Sequence, residues 1–156
     1  MSGRTEAQLR ELGLTLPVPA VAVANYVPFV ASGSLLFVSG QLPLDQGRLV
    51  AAGHLGDTVA VEDGYRAARQ CALNLLAQAA AALDGDLDRI RRLVRLSGFV
   101  ACVPSFVDHP KVINGASDLM VEILGDAGRH SRVAVGVAAL PLGAAVEVDA
   151  TFEIAA

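Results

Sequence analysis

The chain has 156 residues, the length of one compact domain, and carries 12 Lys and Arg against 16 Asp and Glu, a formal charge of −4. With 53% apolar and only 18% charged residues, it is excluded from the intrinsically disordered class. The acidic balance, with an isoelectric point of about 5.2, lacks the basic footprint of a general nucleic-acid binder.

A domain of this size buries roughly 70% of the surface its unfolded chain exposes. The apolar excess over what one small core needs points to surface hidden by self-association. Cys71 and Cys102 lie in no CxxC or Cys/His pattern and are expected to be buried, reduced thiols in a cytoplasmic protein. His54, His109 and His130 are far apart and lack metal-ligand spacing, so no metal is expected. The first residues, Met1 to Glu6, contain no apolar run of the signal-peptide kind. No stretch approaches the ~20 apolar residues of a membrane span.

In chain order, Thr5 to Leu12 reads as a short helix closed by Gly13. It belongs to an N-terminal extension, residues 1–24, of a single domain. Leu16-Pro17-Val18-Pro19 is stiff and extended. Strands are predicted over Tyr26–Val30 and Ser34–Ser39, with a turn at Ala31-Ser32-Gly33 between them. Asp45-Gln46-Gly47 turns into a short Arg48–Val50 strand.

Val61 to Leu83 is the clearest helix, with Tyr65, Ala68, Ala72, Leu75, Leu76, Ala79 and Leu83 on one apolar stripe. A strand follows over about Arg92 to Val100. Asp108, as N-cap, opens a second helix that buries Val112, Ala116, Leu119, Met120 and Ile123 and stops at Gly125. Arg132–Ala138 and Ala145–Ile154 alternate with period two. The order fits an α+β domain, an antiparallel or mixed sheet with two helices on one face. The other face is expected to carry Arg132, Ala134, Gly136, Ala138, Glu147 and Thr151, and a partner subunit is its natural cover.

No GxSxG elbow, P-loop, GxGxxG after a strand, or HExxH occurs. The basic run Arg89 to Arg95 lacks the interleaved aromatics of an RNA platform. Ser39 and Gly40 end an apolar run and either line a pocket or form a plain turn. Arg132 offers a two-pronged grip for a carboxylate or phosphate, or else an ordinary salt bridge. Glu147 is either its partner or a carboxylate that orients a water. Tyr26 closes a pocket or packs; spacing leaves both open.

Three segments together resemble the RidA/YjgF family, also called endoribonuclease L-PSP-like. They are Asn25-Tyr26-Val27-Pro28, Leu36-Phe37-Val38-Ser39-Gly40-Gln41-Leu42-Pro43, and Arg132 with Leu140-Pro141 and Val146-Glu147-Val148. The likeness runs from about Asn25 to Ile154, and the stretches 112–119 and 128–130 resemble a longer branch of the family. The resemblance implies a chorismate-mutase-like α+β fold with a mostly antiparallel sheet. It also implies a homotrimer with a central barrel, and small-molecule sites in the clefts between subunits. The family's deaminases hydrolyse small 2-imino acids to 2-keto acids and ammonia without cofactor or metal.

By position, Arg132 matches the arginine that binds the substrate carboxylate and Glu147 the glutamate that holds the attacking water. Tyr26 and Ser39, with Gly40 beside it, match the pocket residues, and Asn114 an asparagine near the same cleft. Deaminase members follow the arginine with Ser-Cys-Val-Glu, where this chain has Val133-Ala134-Val135-Gly136. The expected function is an enamine/imine deaminase-like hydrolase binding a small carboxylate-bearing metabolite, with no cofactor, no membrane and no nucleic-acid partner. The alternative is a metabolite-binding or regulatory trimer without turnover; endoribonuclease activity has the least support.

Overall fold

The structure is a computed structural model describing residues 3–156. Its first half comprises α1 (Arg4–Glu11), the strands β1 (Phe29–Ser32), β2 (Leu35–Gln41), β3 (Leu44–Asp45) and β4 (Arg48–Leu49), and α2 (Val61–Ala82). The second half comprises β5 (Ile90–Ala101), α3 (His109–Leu124), β6 (Ser131–Val137) and β7 (Val146–Ile154).

The sheet grows outward from β7, whose alternation puts Val146, Val148, Ala150 and Phe152 on one buried side. β2 and β5 flank it antiparallel, β1 extends β2, and β6 pairs with β5 in parallel, for the order β1-β2-β7-β5-β6. The single parallel pair is a consequence of α3, which returns the chain across the sheet between β5 and β6. The result is an α+β fold with a mostly antiparallel sheet.

α2 and α3 cover one face, as the sequence predicts. They bury Leu75, Leu76, Ile113, Leu119 and Met120 against Leu36, Leu93, Leu96 and Phe152. Full burial of one such side chain stabilises by about 1.5–3 kcal/mol. The helices cross closely at Gly115, where a Cβ would strike the Tyr65 carbonyl. No helix among the described residues is long and apolar enough to cross a membrane.

Several expectations are corrected. β1 starts at Phe29, so Tyr26 precedes it. The hairpin turn is Gly33-Ser34, with positive φ at Gly33 and Ser32 paired to Leu35, a two-residue geometry that matches strand twist. Tyr65 leaves the apolar stripe: its hydroxyl donates to Asp118 Oδ2 at 2.7 Å, which holds the phenol above its usual pKa. Asp108 sits at the N-cap of α3 with φ −95° and ψ 31°, outside the extended region a side-chain cap requires, and its side chain caps no backbone N–H. It pairs instead with Lys111 at 3.6 Å. Cys71 is buried, but Cys102 is only half-buried, its Sγ lying with His109 in the space that a Cβ on Gly136 would occupy.

The largest correction concerns β6. Ala134 lies opposite Gly98, and a Cβ on Gly98 would run into Ile113 of α3. Arg132, Ala134 and Gly136 therefore face the helices, while Val133, Val135 and Val137 face outward with Phe99. The open face carries apolar residues: Val30, Phe37 and Val135 are 50%, 43% and 39% exposed.

Candidate functional site

Four of the predicted residues gather where β2 meets β7. The register slips between Val38 and Gln41, and this bulge displays Ser39 and Gly40. The Ser39 N–H donates to Pro28 O at 2.9 Å and its hydroxyl to Val27 O at 2.7 Å, which ties Tyr26's segment to β2. Gly40 leaves room for the close approach of Glu147: an ideal Cβ there would lie 2.5 Å from Glu147 Oε1. Tyr26, Ser39 and Gly40 line a cleft of about 940 Å³ between the segment Thr15–Val23, the end of β2 and α2. Gln78 Nε2 anchors that segment by donating to Ala20 O at 2.8 Å.

Glu147 points to the open face, opposite Phe99. Its carboxyl makes no hydrogen bond or ion pair with any described residue. Burial, and then the charge of Asp149, hold its carboxyl above the usual carboxylate range. An unpartnered carboxyl that resists ionisation suits general acid–base work.

The second group surrounds Arg132. Asn114 and Ser117, three residues apart on α3, present Oδ1 and Oγ to Arg132 Nη1 at 2.8 and 3.2 Å. Ser117 Oγ also meets His130 Nε2 at 2.9 Å, and His130 Nδ1 meets Gly128 O at 2.6 Å. No described carboxylate pairs with Arg132. A half-buried guanidinium whose partners are all neutral retains its attraction for an anion, and its planar fork suits a carboxylate.

These groups do not converge within one protomer. Arg132 faces the helices and Glu147 the open side, on strands separated by β5 and lying roughly 10 Å apart at two strand spacings of ~4.8 Å, with their partners on β5, Leu96 and Phe99, a further stretch along it. The alternative reading of Glu147 as salt-bridge partner of Arg132 is thereby excluded in the protomer. Ser117 and His130 were missed as site residues by the sequence reading. Their signal was present: Ser117 lies one turn after Asn114, and His130 stands two residues before Arg132.

Elsewhere, Cys102 Sγ and His109 Nε2 are 3.4 Å apart, and no group of three metal-ligating side chains occurs among the described residues. In the basic run, Arg92 pairs with Glu153 at 3.4 Å.

The family model for YjgF/chorismate mutase-like endoribonucleases matches residues 6–153. Protein TCP17 of Trypanosoma cruzi is 51% identical over 98% of this chain and 96% of its own length. The RutC family protein y4sK of Sinorhizobium fredii is 34% identical over 85% of this chain and 90% of its own. Among solved structures, Atu1372 of Agrobacterium tumefaciens, a protein of unknown function, is 55% identical with TM-score 0.92, covering 97% of this chain and 93% of that one. The agreement of sequence along nearly the whole chain with the observed sheet order makes this chain a member of the YjgF/RidA family.

Proposed function

We propose that the chain is an enamine/imine deaminase-like hydrolase that converts small 2-imino acids to 2-keto acids and ammonia, acting as a homotrimer in the cytoplasm. The observation that carries this reading is the Arg132 guanidinium, half-buried and held only by neutral Asn114 and Ser117. In this reading Arg132 fixes the substrate carboxylate, which turns a two-body encounter into an oriented one. Glu147 of a neighbouring copy holds a water, takes its proton as the oxygen adds to the iminium carbon, and returns that proton to the departing nitrogen. Tyr26, Ser39 and Gly40 line the approach. The placement of Arg132 and Glu147 on opposite sheet faces supports a site that needs two copies, and the exposed Val30, Phe37 and Val135 support the same contact.

A second reading is a metabolite-binding trimer without turnover. It is favoured by Ala134 and Gly136, so that the helix-facing positions of β6 after Arg132 themselves contribute neither thiol nor carboxylate. Endoribonuclease activity gains no support from an acidic chain.

The test is keto-acid release from freshly generated 2-aminoacrylate or 2-iminobutanoate. Arg132→Ala should lower kcat/KM by about 10- to 100-fold, the value of a lost charge-assisted pair. An unchanged rate refutes the assignment of Arg132. A keto acid that raises the melting temperature while no imine is consumed selects the second reading.

A further inference from the structure

Ser117 and His130 take no part in the reaction proposed above, yet they complete the surroundings of the guanidinium. The Gly128 carbonyl can only accept, so across 2.6 Å His130 Nδ1 carries the proton. In the neutral imidazole Nε2 is then bare and accepts the Ser117 hydroxyl across 2.9 Å. With its proton committed to His130, the Ser117 oxygen offers lone pairs to Arg132 Nη1 at 3.2 Å. With the imidazole neutral, Arg132 donates to Ser117, Ser117 to His130, and His130 to Gly128.

The far end of this chain is firmly seated, since Gly128 packs so closely on α3 that a Cβ would meet the Met120 carbonyl. Ser117 lies inside α3. A helical serine hydroxyl deprived of its acceptor bonds the carbonyl one turn earlier, here that of Ile113, and swings its lone pairs off Arg132.

We propose that His130 is a positioning residue: by accepting the Ser117 hydroxyl it keeps Ser117 an acceptor for Arg132 and so aims the guanidinium at the ligand carboxylate. This rests on the reading of Arg132 as carboxylate anchor. Because neither Ser117 nor His130 is a carboxylate, the support introduces no anion that would compete with the ligand.

Two substitutions separate this role from a merely structural one. In His130→Gln the side-chain amide reaches the place of Nε2, preserving an acceptor for Ser117 and losing the Gly128 bond. In His130→Asn the amide takes the place of Nδ1, preserving the Gly128 bond and losing the acceptor. The probe is 2-oxobutanoate titrated by calorimetry, with thermal melting alongside. His130→Asn should weaken binding about three- to tenfold, while His130→Gln stays within about twofold of the parent. Ser117→Ala should weaken binding as His130→Asn does, and the double variant should lose nothing more. The reverse order, with His130→Asn binding like the parent and His130→Gln weakened and melting lower, overturns the proposal. So does equal binding by both variants and the parent when Arg132→Ala still abolishes binding; that outcome leaves the anchor standing. If Arg132→Ala binds like the parent, the anchor reading fails and this inference with it.

Discussion

Gly40→Ala tests how Glu147 is held. An ideal Cβ at position 40 falls 2.5 Å from Glu147 Oε1 and 3.0 Å from its Cδ, whereas ordinary contact begins near 3.4 Å. The carboxyl must retreat by about 0.9 Å, the gap between the first and last of those distances. Only the end of a flexible side chain moves, so the fold should lose under about 1 kcal/mol, a shift of about 2–4 °C in melting temperature. Displacement of a reacting group by about 1 Å costs about 10²-fold in rate. Gly40→Ala should therefore cut kcat for imine hydrolysis about a hundredfold in a protein that melts almost normally. A second readout is independent of activity. Burial and Asp149 raise the Glu147 pKa in the parent, and retreat into solvent should lower it, followed by carbon NMR of the labelled carboxyl. A variant with the parent's rate and an unmoved Glu147 titration would refute the reasoning.

Three further outcomes follow from the same structure. The Glu147 pKa lies above its ordinary value of 4.5 in the folded protein, so the native state binds that proton more tightly than the unfolded chain and loses stability as pH rises from 4.5 through the raised value. Glu147→Gln should accordingly melt above the parent at pH 8, with the gap closing below about pH 4.5; a gap that widens on acidification contradicts the sign. Gly115→Ala drives a methyl into the Tyr65 carbonyl where α2 crosses α3 and should cost about 2–3 kcal/mol in urea denaturation. Val135→Asp puts a charge beside Phe99 on the open sheet face. On the proposed homotrimer it should give monomers in sedimentation velocity and abolish the proposed imine hydrolysis, whereas an intact assembly would place the subunit contact elsewhere.

Several residues of the candidate site could be singled out, most of them through the family resemblance, and the fold brings some of these together. Arg132 and Asn114 do meet at 2.8 Å, and Tyr26, Ser39 and Gly40 do line one cleft. Glu147 could be placed on the polar side of its strand because valines flank it on both sides. The Arg132–Ser117–His130 chain was hidden because it joins residues from α3, the following loop and β6, and no single periodicity spans those three. The cleft likewise depends on a tertiary bond, Gln78 to Ala20, between residues remote in sequence.

Sequence alone determined the elements wherever the two sides of an element differ in polarity: α2, α3 and β7 appear within a residue or two of their predicted bounds. It also determined that Arg132, Ala134 and Gly136 share one side of β6 and the three valines the other. Which side faces the helices was left to the tertiary structure, because both sets contain apolar residues and a transfer-energy argument assigns the valines to the core. The packing decides otherwise: α3 lies so close over β5 and β6 that Gly98 admits no Cβ beneath Ile113 and Gly136 none beneath His109. Filled by those α3 side chains, the space over the covered face admits only the smallest residues, takes Arg132 in with them beside Asn114 and Ser117, and leaves the valines on the open side.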